Sequence, residues 1–213
     1  MKSIKNEAAV CCPNHCEPFE VEYWSLISAE QDPDLKTAAL GGELNLVQCP
    51  HCGTFFHHSG DTIYFDVPAE LLVFVFAEKY VSQAQELTVR MQRDYALIKE
   101  TLAKQLDIDY PPVCVFGLEE LKRLLQEEEK NSFESEAIAA AAAAAGFAVA
   151  RLKPSYAREH HFPYCVPAPR SGKTANAYAV AASKILKTGL KSPLLLNFKD
   201  QMSQEGGAIP AII

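Results

Sequence analysis

Two short clusters hold most of the cysteine and histidine side chains in this 213-residue protein. The first reads Cys11-Cys12-Pro13-Asn14-His15-Cys16, and the second reads Cys49-Pro50-His51-Cys52-Gly53, with His57 and His58 just beyond. Zinc takes four ligands at tetrahedral corners, from thiolate or imidazole, and two loops giving two ligands each can clasp it. Cys49 and Cys52 have the two-residue gap that one such loop needs. Pro50 stiffens the turn, and Gly53 admits a positive φ that lets amides turn toward the sulfurs. Cys12 and Cys16 stand one residue further apart. The simplest ligand set is therefore Cys12, Cys16, Cys49 and Cys52. A Cys12/His15 pair would restore the tighter gap, and Cys11, His57 or His58 could replace one member of the set.

Three other chemistries compete for the same residues. Buried free thiols are common in cores. Two Cys-Pro clusters with strand-forming sequence between them are a joint pattern that unconnected thiols do not explain. Cys49-Pro50-His51-Cys52 also matches the active-site tetrad of strongly oxidising thioredoxin-fold proteins, where the first cysteine opens a helix that depresses its pKa. That reading needs a low-pKa, exposed Cys49. It leaves Cys12 and Cys16 unexplained, and Thr54-Phe55-Phe56-His57-His58 reads as strand rather than helix. A catalytic zinc keeps one position open for water. Four thiolates leave none, and Asp66 or Glu70 would have to serve as the general base.

The elements that must position these residues follow from periodicity. Phe19 to Ser28 alternates apolar and acidic residues and predicts a half-buried strand. Asp32 as N-cap, Pro33 at the first position and Gly41 at the end predict a short helix. Leu44, Leu46 and Gln48 lead a second strand into the second cluster. Ile63–Asp66 and Leu71–Phe76 predict two more strands, broken by Pro68. Leu87, Met91, Tyr95, Ile98, Leu102 and Leu106 form one apolar stripe, so a core-facing helix spans about 80–106. Pro111-Pro112 ends it. Val113–Phe116 is a brief strand and Leu118–Leu125 an amphipathic helix.

The alanine run Ala139–Ala145 has high helix propensity and little surface to bury, which predicts a helical linker. Beyond it, Thr174 to Thr188 is a helix closed by Gly189. Ser192-Pro193 opens another, with Leu194, Leu195, Phe198 and Met202 inward. His160 to Cys165 reads as loop. Pro167 to Thr174 ends like a phosphate-binding loop but has proline where that motif needs glycine.

Charge divides the chain. Residues 1–150 carry 11 Lys+Arg and 24 Asp+Glu; residues 151–213 carry 9 and 3. An acidic body is a poor nucleic-acid binder, because phosphate contacts need cations. The basic tail, with Lys173, Lys184, Lys187 and Lys191, could meet phosphate as a nucleic-acid adaptor or pair with acids of its own chain. The longest apolar run outside the alanines, Leu71–Ala77, is too short to cross a bilayer. With no apolar leader at the N-terminus, the expected location is the cytoplasm, where thiols stay reduced and cysteines serve metals or catalysis.

The order Cys-Pro…Cys, Trp24-Ser25-Leu26-Ile27-Ser28, Asp32-Pro33-Asp34-Leu35-Lys36, Leu40-Gly41-Gly42-Glu43-Leu44-Asn45, Cys49-Pro50-His51-Cys52-Gly53, Ile63-Tyr64-Phe65-Asp66 and Val73-Phe74-Val75-Phe76 resembles the CpXC domain family of bacteria and archaea. Val115 to Lys122 is similar to its closing segment, so the likeness covers about residues 9–130. The resemblance implies zinc-ribbon-like metal binding and brings no activity with it. The first motif departs from the family by its one extra residue.

Together these readings give an α+β fold, with a zinc-ribbon-like antiparallel sheet, packed helices and a small helical C-terminal segment. The expected organisation is a zinc-binding domain at 9–130, a helical linker at 131–150 and a basic helical segment at 151–213. The expected function is a zinc-stabilised cytosolic interaction module with a protein partner and no membrane, rather than an enzyme. The alternatives are a thiol or zinc redox protein using Cys49 and Cys52, and a nucleic-acid adaptor.

Overall fold

The computed structural model describes residues 2–102, 108–169, 174–204 and 212. Leu106, the last member of the helical stripe, and Lys173, of the phosphate-loop-like stretch and the basic tail, lie outside them. The chain divides into two compact units, 1–126 and 127–213.

The first unit is a five-stranded sheet with helices on both faces. In chain order its elements are β1 (Ile4–Val10), β2 (Phe19–Ser28), α1 (Pro33–Gly41), β3 (Leu46–Gln48), β4 (Phe55–His57), β5 (Thr62–Asp66), β6 (Leu71–Phe76), a 3-10 turn (Glu78–Gln83), α2 (Ala84–Leu102), β7 (Val113–Phe116) and the start of α3 (Leu118–Ala144). The sheet runs β1-β2-β5-β6-β7, while β3 and β4 form a separate antiparallel pair. Hairpins β1–β2 and β5–β6 are antiparallel; β2–β5 and β6–β7 are parallel. Parallel neighbours need a crossover. The first runs through α1 and the β3–β4 hairpin, and the second through α2.

β6 shows why the sheet sits between helices. All six of its residues are buried. Leu71, Val73 and Val75 pack with Ile27, Tyr64, Leu121 and Leu125 on one face, while Leu72, Phe74 and Phe76 pack with Leu87 and Met91 of α2 on the other. Alternate side chains of a strand point to opposite faces, so a strand covered on both sides reads as a continuous apolar run. The core-facing stripe of α2 is confirmed, with Tyr95, Ile98 and Leu102 half-buried against the same cluster.

Helix α1 ends at Gly41 as expected, with the left-handed Gly42 (φ 77°) as its cap. Asp32 holds the N-cap position, but its carboxylate accepts from Ser3 N instead of capping α1 (3.2 Å). The Ser3 hydroxyl first, and then its backbone N–H, draw the Asp32 carboxyl below its usual pKa and tie the helix start to the chain just before β1.

The second unit holds the rest of α3, β8 (Val149–Arg151), α4 (Pro154–His160), β9 (Cys165–Pro167), α5 (Ala175–Leu186) and α6 (Pro193–Met202), with β8 and β9 antiparallel. The alanine run is the continuation of α3. Its Ile138 and Ala142 are fully buried in a core with Leu152, Phe162, Tyr178, Ile185, Leu195 and Phe198. The stretch expected as a linker thus lines the core of this unit. Thr174 and Ser192 cap α5 and α6 as expected, accepting from Ala177 N and Leu195 N. Glu134 of α3 adds a second tie to α6, accepting from Ser192 Oγ (2.5 Å) and Leu194 N (2.9 Å). Leu195, Phe198 and Met202 face inward, while Leu194 is only half-buried.

The segment His160 to Cys165 is held in place by α3. Asn131 donates to Phe162 O (2.9 Å), and Tyr164 N donates to Ser135 Oγ (2.8 Å). The Tyr164 hydroxyl donates to Glu128, which Arg158 grips through Nε (2.7 Å) and a second guanidinium nitrogen (3.1 Å). Burial first, and the Glu128 charge second, raise the Tyr164 pKa. An unfolded tyrosine ionises near pH 10 while the folded one keeps its proton. Above that pH the unfolded chain binds fewer protons, so the stability contributed by neutral Tyr164 declines as pH rises. Melting of Tyr164→Phe between pH 9 and 11 is expected to show a shallower loss than the unaltered chain.

Charge in this unit is close to balanced. Residues 127–213 carry 10 Lys+Arg and 8 Asp+Glu, because Glu127, Glu128, Glu129, Glu134 and Glu136 fold with the basic stretch. Lys184 of that stretch lies over the Phe147 ring (5.8 Å to the centroid).

Candidate metal centre

Each cysteine cluster sits in the connection of an antiparallel hairpin. Residues 11–18 join β1 to β2, and residues 49–54 join β3 to β4. A hairpin tip is the part of the chain whose direction the strands fix most locally. In the second tip Gly53 N donates to Cys49 O and Cys49 N to Thr54 O, both at 2.9 Å, and Gly53 takes φ 75°. In the first, His15 N donates to Cys12 O (2.9 Å) and His15 takes φ 58°. The left-handed residue thus precedes the second cysteine in one tip and follows it in the other. That difference absorbs the extra residue between Cys12 and Cys16.

Asn45 (φ 53°) brings the two tips together. Its side-chain oxygen accepts from Trp24 N (2.8 Å) and its amide donates to Trp24 O (3.1 Å), as a pairing strand would. Its own carbonyl accepts from His58 N (2.9 Å). The β3–β4 hairpin is therefore hooked onto β2 by one residue at its base.

The result is a cluster of four sulfurs. Cys12, Cys16, Cys49 and Cys52 place their Sγ atoms within 4.8 Å of one another, and Cys12 Sγ lies 3.5 Å from Cys52 Sγ. Ligands about 2.3 Å from a tetrahedral zinc would have sulfurs about 3.8 Å apart. The donor set therefore fits a thiophilic ion with little rearrangement, and four cysteines this close could hold a metal. Cys12 and Cys49 are buried, Cys16 is half-buried and Cys52 is exposed.

Polar groups already face the sulfurs. Asn14 N donates to Cys12 Sγ (3.4 Å), and Asn14 Nδ2 reaches Cys52 Sγ (3.6 Å) and Thr54 Oγ1 (2.9 Å). Thr54 Oγ1 lies 3.4 Å from Cys52 Sγ. The Thr54 hydroxyl first, then its backbone N–H and the Asn14 amide, hold the Cys52 thiol down to about 5. The hydrogen bond to Cys52 first, and then burial, push Cys16 up to about 12; burial also raises Cys12. A divalent cation displaces the remaining protons, so affinity falls as pH falls.

Asn14 and Thr54 were not singled out from sequence. A short polar residue between two cysteines was the only available signal. Groups that hydrogen-bond to ligands typically change metal affinity by 10–100-fold when removed. Asn14→Ala is expected to weaken metal binding by roughly tenfold or more in a chelator competition titration, with the far-ultraviolet dichroism of the metal-loaded chain unchanged.

The other candidate ligands lie elsewhere. His15 is exposed at its turn. His57 Nδ1 meets Leu44 O (3.1 Å), His51 stands edge-on to Phe19, and His58 packs on Tyr23 (ring centroids 4.4 Å). Cys11, His57 and His58 line a separate cleft of about 780 Å³ with Lys79 and Arg90. The redox reading required an exposed Cys49; Cys49 is 1% exposed, it opens no helix, and the exposed thiol of the Cys49/Cys52 pair is Cys52. Asp66 is buried and paired with Lys36 (2.8 Å), which makes it a structural carboxylate. Glu70 sits in the turn between β5 and β6.

A family model described as CpXC protein matches residues 10–134, more than half of the chain. No curated protein and no solved structure matches. Among the described residues, no helix is long and apolar enough to cross a membrane.

Proposed function

Because this chain belongs to the CpXC family, with that family's two Cys-Pro clusters at the tips of its hairpins, we propose that it is a zinc-stabilised interaction module. The observation that carries the reading is the convergence of Cys12, Cys16, Cys49 and Cys52 within 4.8 Å. Four thiolates complete the coordination of zinc and leave no position for water, which is the mark of a structural rather than a catalytic ion. Softness of the donors selects against magnesium, calcium and manganese. The reducing cytosol suits a site that needs four free thiolates. Its role there is to hold the two hairpins as one rigid surface for a protein partner. Elemental analysis is the direct test. One zinc per chain, lost in Cys49→Ser, supports the reading; no bound metal in the folded, reduced chain overturns it.

A further inference from the structure

Strand β1 ends the five-stranded sheet. One of its edges pairs with β2 and, among the described residues, no strand pairs with the other. Ile4, Lys5, Asn6 and Glu7 are all exposed. An open edge of this kind offers a row of N–H and C=O groups to another strand. The pairing between β1 and β2 has one irregularity. Ile4 stands opposite Leu26 and Lys5 opposite Trp24, so the extra residue is Ser25 on β2 and β1 itself stays regular.

The charges on this strand say which partner fits. Glu7 stands directly opposite Glu22, and like charges so placed are destabilising. Lys5, two residues earlier on the same face, reaches Glu22 (2.9 Å) and lies over the Trp24 ring. Glu7 itself makes no ion pair among the described residues. A cation on its outer side would relieve that repulsion.

We propose that the free edge of β1 pairs antiparallel with β1 of a second copy of this chain, about a two-fold axis at Asn6. That register sets Lys5 of each copy opposite Glu7 of the other, twice, and supplies the cation that Glu7 lacks. It sets Ile4, which is 50% exposed, against Ala8 on the opposite face. Sliding by one residue puts Lys5 opposite Asn6 or Ala8. Sliding by two puts Lys5 opposite Lys5 or Glu7 opposite Glu7. Only the one register is charge-complementary. The same patch meets itself, so the assembly closes as a dimer. No cysteine takes part, so the pairing stands apart from the metal reading.

Sedimentation equilibrium of the full zinc-loaded chain over a wide concentration series is the test. The unaltered chain is expected to form a dimer. In Glu7→Lys the introduced lysine faces Glu22 of its own chain, which raises the melting temperature of the monomer. It also faces Lys5 of the second copy at both crossings, which weakens the dimer by roughly tenfold. Lys5→Glu weakens it as much. Mixing the two variants restores association, because each supplies the charge the other lacks. A chain that stays monomeric at every concentration overturns the proposal. So does a Glu7→Lys dimer as tight as the original, or a mixture that fails to associate.

Discussion

Withdrawal of the proposed zinc by a strong chelator at neutral pH is expected to shift the emission of Trp24 to longer wavelength and to abolish the melting transition of residues 1–126. Trp24 is the single tryptophan of the chain, and it sits on β2 where Asn45 hooks the second hairpin to the first. A structural zinc contributes on the order of 10–16 kcal/mol. A whole domain is stable by about 5–15 kcal/mol. Removing a term that matches the entire margin leaves the sheet unable to stay folded. Residues 127–213 have their own core, and among the described residues their side chains contribute nothing to the sulfur cluster. Part of the helical dichroism should therefore persist, and a second, metal-independent transition should remain. Trp24 emission and melting that are both unchanged by chelation would mean that the four cysteines do not hold the fold.

The second large effect belongs to residues 127–213. Replacing Arg158 by Met is expected to destabilise them by about 3 kcal/mol. The Glu128 and Arg158 side chains are only 14% and 19% exposed. The substitution removes both charge-assisted bonds to Glu128 and leaves its carboxylate with the Tyr164 hydroxyl. An uncompensated buried charge costs about 3–5 kcal/mol, and the residual exposure of this pair places it at the lower end. For a unit of this size that is a fall of more than about 10 °C in its transition. Glu128→Gln added to Arg158→Met should recover part of the loss, because an amide accepts from Tyr164 without carrying charge. Thermal melting of the single and double variants measures both; equal melting of Arg158→Met and the original chain would show that water already compensates Glu128.

Strong local signals made much of the first unit legible. The alternation of Phe19 to Ser28 gave β2 with its ends, and the apolar run Leu71–Phe76 gave the fully buried strand β6. The spacing of the cysteines named the four residues that converge. β1 was missed because Ile-Lys-Asn-Glu-Ala-Ala-Val is poor in β-branched and aromatic residues, and pairing with β2 overrides that weak preference. β8, α4 and β9 were missed for a different reason. They are short, and distant side chains such as Asn131, Ser135 and Glu128 hold the intervening loop. No local window contains both halves of such a contact. Asn45 belongs with them: its value lies in matching the backbone of Trp24, twenty-one residues away.

The alanine run of α3 has a consequence for how this protein can drift over evolution. Its residues are chemically identical, yet Ala142 is sealed in the core while Ala140, Ala143 and Ala144 face water. A side chain of one carbon lets neighbouring backbone come close, and any larger one at a sealed place overfills it. Related chains are thus free to vary at the outward letters and constrained at the inward ones. A monotonous tract hides a helical period of tolerance that composition alone erases.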